Sequence, residues 1–115
     1  MSRVKRGLAT KKRHKKLLKQ TKGFWGQRKN IFKRAKETLM RAMAFAFKGR
    51  KLKKRDMRAL FISRISAACV QNGMSYNKFM HGLKLAKVDL NRKMLSQISI
   101  FDPKVFSKLT EISKS

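Results

Sequence analysis

Acidic residues are what this chain has least of. Five Asp and Glu stand against 32 Lys and Arg in 115 residues, a formal charge of +27, and the first 36 residues hold fifteen of the cations and no acid at all. So few carboxylates leave no pair for general acid and base work. Glu37 has Arg41 four residues on and Asp56 follows Arg55, so both read as partners of basic side chains, while Asp102 reads as a helix cap. A single cysteine, Cys69, excludes an intrachain disulfide and a cysteine-based zinc cage within one chain, and points to a reducing compartment. It shares helical turns with Ile65 and Ala68, the position of a small core residue rather than a reactive thiol. The only histidines, His14 in the basic arm and His81 on a short helix, read as a phosphate contact and a surface or edge residue. No metal, cofactor or enzymatic activity is predicted. No apolar run approaches the roughly 20 residues that span a bilayer. Met1-Ser2-Arg3-Val4-Lys5-Arg6 also lacks the apolar stretch of a secretory signal. These absences predict a soluble intracellular protein without a membrane partner. There is one proline, no internal repeat and no alternating strand pattern, which leaves an all-α fold.

What is present is charge, unevenly spread. Residues 1–60 carry 23 basic and 2 acidic side chains, residues 61–115 carry 9 and 3. The first part reads as an arm and the second as a body: a basic extension over 1–58, made of an extended tail, a short helix and the start of a long helix, and a compact helical domain over 59–115. At 42% apolar residues, clustered periodically in the second half, the chain is not disordered throughout.

Residues 1–8 have no periodicity and are predicted extended. Ala9 to Thr21 permits a short helix around Leu17 and Leu18, in which Lys11, Lys12, Arg13, Lys15, Lys16 and Lys19 repel one another. Gly23-Phe-Trp-Gly26 breaks it. From Gln27 to Asn72 there is no proline and only Gly49, and Ile31, Ala35, Leu39, Ala42 or Met43, Ala46, Met57, Phe61, Ile65 and Ala68 recur at helical spacing. The stripe is interrupted between Lys48 and Arg55. A continuous helix there is a rod of roughly 70 Å spanning between two places, with Gly49 a position for a bend. Asn72-Gly73 stops it. Ser75 caps a helix to about Ala86 with Phe79, Met80 and Leu83 inward, and Asn91 caps another with Met94, Leu95 and Ile98 on one face. Asp102-Pro103 starts the last, whose apolar side is Val105, Phe106, Leu109 and Ile112.

A segment that cannot neutralise itself needs a polyanion, and nucleic acid is the usual one. Seven of the eleven residues from Lys48 to Arg58 are basic and spread around more than one helical face, as suits a helix surrounded by phosphates; an isolated run of this kind also occurs as a solvated charged helix. Charge alone marks Lys11, Lys12, Lys22, Arg28, Lys29, Arg34, Arg50 and Lys51 as candidate phosphate contacts of a nucleic acid. Phe24 and Trp25, an aromatic pair in a cationic loop, either stack on splayed bases or plug the space between two helices.

Several segments in shared register resemble a known family: Arg3-Val-Lys-Arg-Gly7, Arg13-His-Lys-Lys16, Lys22-Gly-Phe-Trp-Gly26, Lys54-Arg-Asp56, Arg64-Ile-Ser-Ala-Ala68, Gln71-Asn-Gly-Met-Ser-Tyr76 and Asn91-Arg-Lys-Met-Leu95. In order and spacing they are similar to protein twenty of the bacterial large ribosomal subunit, over nearly the whole chain. The resemblance implies a structural RNA-binding protein in the ribosome, located in the cytoplasm or in an organelle. It implies a long basic helical extension threaded into large-subunit ribosomal RNA, and a small helical C-terminal domain at the surface among neighbouring large-subunit proteins. It also implies early binding that organises the RNA during assembly, and, as in some members, binding of a leader of the protein's own messenger through the C-terminal domain. Arg3, Lys5, Arg6, Arg13, His14, Lys15 and Lys16 match the family's arm and Lys54, Arg55 and Arg58 its rod; by resemblance these are phosphate contacts, with Phe24 and Trp25 at the loop. Departures are Phe61 where tryptophan is common, Met57 where an aromatic is common, and Ser66 where asparagine is common. The first two are apolar exchanges that a core absorbs by repacking, whereas the third removes an amide.

Two other classes fit less well. A histone-like or helix-turn-helix DNA protein needs a reading pair from the helices near 75–87 and 91–101, whose faces carry few Arg, Asn or Gln in one cluster. A membrane-active or calmodulin-target basic helix has only Phe45, Phe47 and Leu52 mixed with lysines to support it.

Overall fold

The computed structural model describes Arg3 and residues 5–115. Among them there is no strand, and the class is all-α. The helices are α1 (Gly7–Gln20), α2 (Phe32–Gln71), α3 (Tyr76–Leu85), α4 (Arg92–Phe101) and α5 (Pro103–Lys114), with a 3-10 turn at Gly26–Lys29. The chain divides into two compact units, one ending at Lys51 and one spanning Leu52–Ser115.

In the first unit α1 begins at Gly7, two residues earlier than periodicity predicts, so Gly7 and Leu8 are helical rather than extended. Arg6 enters it in the left-handed region (φ 61°) while its carbonyl accepts the amide of Thr10 at 3.0 Å. Met1, Ser2 and Val4, the rest of that predicted extended stretch apart from Arg3 and Lys5, lie outside the described residues. The fully buried Thr21 closes α1: its amide donates to Leu17 O at 3.3 Å and its hydroxyl to Leu18 O at 3.1 Å. The long helix starts at Phe32, five residues later than the Gln27 read from the sequence. The reason is the turn before it: residues 26–29 wind as 3-10, and the amides of Asn30 and Ile31 both return to Gln27 O, at 3.2 and 3.0 Å. Of the predicted stripe in this unit only Ala35 is fully buried; Leu39 and Ala42 are half-buried, and Ile31, Met43 and Ala46 are exposed. The helical assignment continues through Gly49.

The second unit holds the apolar core: Ile65 and Cys69 from α2, Phe79 and Leu83 from α3, Leu95 from α4, and Phe106 and Leu109 from α5. The rings of Phe79 and Phe106 lie 5.1 Å apart at 34°, a tilted pair of the kind aromatic quadrupoles favour. Gly73 (φ 69°) ends α2 as predicted, and the closure is a Schellman motif: the amide of Met74 reaches Cys69 O at 3.0 Å and that of Gly73 reaches Val70 O at 3.0 Å. The same motif ends α3, with Val88 N to Leu83 O at 3.0 Å and Lys87 N to Lys84 O at 3.2 Å, but the left-handed residue is Lys87 (φ 56°). Asn91 caps α4 through Oδ1, which accepts Met94 N at 2.9 Å. Asp102 and Pro103 do start α5, without a side-chain cap bond from Asp102. Met57, predicted on the apolar stripe of α2, is exposed, and so are three residues predicted inward on the last two helices: Met94, Val105 and Ile112 are each more than two-fifths exposed. Each of these two short helices buries a narrow strip, Leu95 with Ser96, or Phe106 with Leu109 and Thr110, and the flanks of the strip stay wet.

Asn72 does more than stop a helix. Its Nδ2 donates to Ala68 O at 2.8 Å, its Oδ1 accepts the hydroxyl of Ser107 at 3.0 Å, and its carbonyl accepts Lys114 Nζ at 3.4 Å, so the end of α2 is tied to the middle and the last residue of α5. Arg92 Nε donates to the Tyr76 hydroxyl at 3.0 Å and joins α4 to α3.

Candidate nucleic-acid interface

The cations are outside and uncompensated. Lys11, Lys12, Arg13, Lys15 and Lys16 of α1 are exposed, as are Arg3, Lys5, Arg6, Lys22, Arg28, Lys29 and Arg34. Every residue from Met43 to Leu60 is exposed, Arg50, Lys51, Lys54, Arg55 and Arg58 with them. Among the described residues no Lys or Arg lies within 4.0 Å of a carboxylate, so the pairing read for Glu37 with Arg41 does not form. With no acid to partner, each cation keeps its hydration and its full field, and the potentials of neighbours on one helix add.

Within the first unit the fold brings some of these residues together. A cleft of about 410 Å³ is lined by Arg13, Lys16, Leu17 and Gln20 of α1 and by Phe32, Lys36 and Leu39 of α2. Arg13 and Lys16 were predicted; Gln20 and Lys36 were not. Lys36 stands four residues after Phe32, so the signal for it was the face of α2 turned to α1. A second cleft, about 340 Å³, gathers Trp25, Gly26, Gln27, Arg28 and Arg34. It places one aromatic and two guanidinium groups around one concavity, with planar surfaces and forked donors suited to a base and a phosphate.

The aromatic pair divides its roles. Trp25 is 87% exposed, while Phe24 is half-buried beneath the turn, its amide donating to Thr21 O at 3.0 Å. The two rings thus differ in exposure, Trp25 open to solvent and Phe24 partly covered. His14 carries a feature that charge counting does not show: its imidazole stacks on Phe32, centroids 3.9 Å apart at 17°, so one ring face is covered by protein. The nitrogens at its ring edge are the atoms left for a hydrogen-bonding partner.

The remaining chemistry-bearing residues fall away from a site. Cys69 is fully buried, and desolvation pushes its thiol up to about 11, away from thiolate chemistry. Among the described residues no group of three His, Cys, Asp or Glu is placed to hold a metal ion. No described helix is long and apolar enough to cross a membrane.

Comparison with known proteins gives a consistent result. A family model described as Ribosomal protein L20 matches residues 3–109. The chain is 57% identical over 114 residues to the large ribosomal subunit protein bL20 of Clostridium novyi (strain NT), covering 99% of this chain and 96% of the relative. The proteins of the same name from Clostridium tetani and from Clostridium botulinum (strain Hall) are 56% and 54% identical over the same shares of both chains.

Proposed function

The chain belongs to the ribosomal protein L20 family, and from that premise we propose that it is a structural constituent of the large ribosomal subunit that binds large-subunit ribosomal RNA directly and organises it during assembly. Its place is the ribosome of the cytoplasm or of an organelle, among neighbouring large-subunit proteins, and it carries no catalytic step. Residues 1–58 form the RNA-embedded extension and 59–115 the helical body. The observation that carries this reading is the exposed basic field of the first 36 residues, fifteen cations with no acid among them. Such a surface releases condensed counterions when phosphates replace them, which offsets the cost of ordering the arm. Arg3, Lys5, Arg6, Lys11, Lys12, Arg13, Lys15, Lys16, Lys22 and Lys29 supply phosphate contacts. Trp25 with Arg28 and Arg34 adds a stacking subsite, and Arg50, Lys51, Lys54, Arg55 and Arg58 continue the contact along α2.

Filter binding of the full chain to purified large-subunit ribosomal RNA over a salt series tests this. Engagement of about ten phosphates gives a slope of about −7 to −9 in log affinity against log salt. Structured RNA should outcompete duplex DNA of equal phosphate content at fixed salt. Equal affinity for the two would return the histone-like reading, and absence of the protein from purified large subunits would end the ribosomal one. Repression of its own messenger, implied by the family resemblance, belongs to the same proposal. A reporter fused to the native leader should lose expression when the protein is in excess, and unchanged expression removes that role.

A further inference from the structure

Between Met40 and Lys51 the helix α2 carries its large apolar side chains on the outside: Met40 and Met43 are exposed, and Phe45 and Phe47 are 67% and 58% exposed. They do not form one stripe. Met40, Met43 and Phe47 follow steps of three and four and share a side, whereas Phe45 stands two residues before Phe47 and is turned about 200° from it around the axis. Opposed apolar positions cannot both pack on one neighbouring protein surface. Nor do they suit a helix lying in a bilayer interface, which needs its apolar residues on one side and its charges on the other.

Each ring also has its own cations. Phe45 has Arg41 four residues before and Lys48 three after; Phe47 has Arg50 and Lys51 three and four after, and Lys51 Nζ lies 5.4 Å from the Phe47 ring centroid. No acid occurs between Glu37 and Asp56, so nothing in the interval recognises a basic partner.

We infer that Phe45 and Phe47 are two stacking platforms for unpaired nucleotides, on opposite sides of α2, with the flanking Lys and Arg side chains taking the phosphates of the nucleotides that stack. The ligand at this level of the helix is then single-stranded or extruded RNA from two separate segments, not a continuous duplex. A paired base keeps both π-faces inside its stack, while an unpaired one offers a face to any aromatic ring, largely without sequence preference. The inference rests on the RNA-binding reading above and narrows it to a class of RNA.

The test uses the full chain with Phe45→Ala, Phe47→Ala, the double substitution, and Phe45→Leu and Phe47→Leu, bound to poly(U) and to duplex poly(A)·poly(U) at matched phosphate concentration. Both side chains are exposed, so helicity by circular dichroism should match the parent chain. Each alanine should weaken poly(U) binding about tenfold, within the range known for base–aromatic stacking, and the double about a hundredfold. Duplex affinity and the salt slope should stay within twofold. The leucine variants keep apolar area without a π-face and should behave like alanine. Equal losses on both polymers, no loss on poly(U), or leucine variants that bind like the parent would overturn the inference while leaving RNA binding itself intact. A parent chain that binds neither RNA better than duplex DNA would take the wider reading down as well.

Discussion

Replacing Gly82 by alanine should loosen the second unit, and the structure supplies the magnitude. Gly82 is buried in α3 where it crosses α5, and a Cβ built on it would stand 2.7 Å from the carbonyl carbon and 2.8 Å from the Cα of Ser113, with the Ser113 carbonyl oxygen closer still. These are backbone atoms in the last turn of α5, so no side-chain rotation relieves the overlap; the two helices must separate. Overpacking of this kind costs about 1–3 kcal/mol, and the backbone obstacle puts Gly82 at the upper end. Against it, alanine gains about 1 kcal/mol of helix propensity over glycine inside a helix. The net expectation is a loss of about 2 kcal/mol. A domain of about 60–100 residues shifts its midpoint by roughly 4–8 °C per kcal/mol, so the melting temperature should fall about 8–16 °C. Separation of α3 from α5 also strains the Phe79–Phe106 pair, at 5.1 Å the closest aromatic contact between those helices. Urea and thermal unfolding followed by circular dichroism measure both quantities. A Gly82→Ala chain as stable as the parent, or more stable, would show that helix propensity outweighs the crossing and that the close approach is not tight.

Three further outcomes follow from single residues. Lys87→Gly should stabilise the second unit by about 1 kcal/mol in urea unfolding, because a left-handed backbone costs a side-chain-bearing residue about 1–2 kcal/mol that glycine does not incur, part of it returned as unfolded-state entropy. Ser96 Oγ is buried without a hydrogen-bond partner, so Ser96→Ala should be neutral or stabilising by up to about 1 kcal/mol; a loss of more than that amount would reveal a partner for the hydroxyl. The Cys69 thiol rises from 9.0 to about 11 through desolvation. As an acid with a raised folded value, it contributes stability that is full below pH 9.0 and declines as pH climbs towards 11, because the unfolded chain releases the proton first. Unfolding free energy should therefore drop between those two pH values in the parent and less so in Cys69→Ala, and iodoacetamide at pH 8 should label Cys69 only in the unfolded chain.

Helix existence was legible because its signals are local. The stops at Gly23 to Gly26 and at Asn72-Gly73, the cap at Asn91 and the start at Asp102-Pro103 each depend on a few adjacent residues, and each is where the structure has it. What failed was decided at longer range. The start of α2 at Phe32 depends on a 3-10 turn that returns two amides to Gln27 O, and no residue type announces that turn. The end of α3 uses Lys87 where a sequence reader looks for glycine: Val88 and Leu83, brought together by the Schellman closure, both pack at the core, and that packing supports a backbone the side chain resists. Gly82 passed as an ordinary helix position because its meaning lies in Ser113, 31 residues away. The basic field of the candidate interface was readable by counting, whereas the grouping of Trp25 with Arg28 and Arg34, and of Arg13 and Lys16 with Lys36, required the turn that folds α1 beside α2.

The same contrast explains why the two units treat apolar residues so differently. In the second unit the stripe from α2 ends in fully buried Ile65 and Cys69, because α3, α4 and α5 follow in sequence and supply the other side of a core. In the first unit α1 alone is available, and it is a helix of fourteen residues in which six are Lys or Arg and only Leu17 and Leu18 offer central apolar surface. In this unit Ala35 is buried and Leu39 and Ala42 are half-buried, and from Met43 on the apolar side chains of α2 are exposed. Adding apolar residues to α1 would have completed a protein core, but at the expense of the cations that face outward from it. Met40, Met43, Phe45 and Phe47 are left uncovered for that reason, in a stretch of helix too basic for a second protein layer of its own sign. The proposed RNA partner would cover both kinds of surface at once, its phosphates meeting the ammonium and guanidinium groups and its bases the rings. On the proposed reading the exposed phenylalanines and the scarcity of acids serve one ligand, and a chain in which Glu or Asp replaced the lysines around Phe47 should lose RNA binding even with both rings in place.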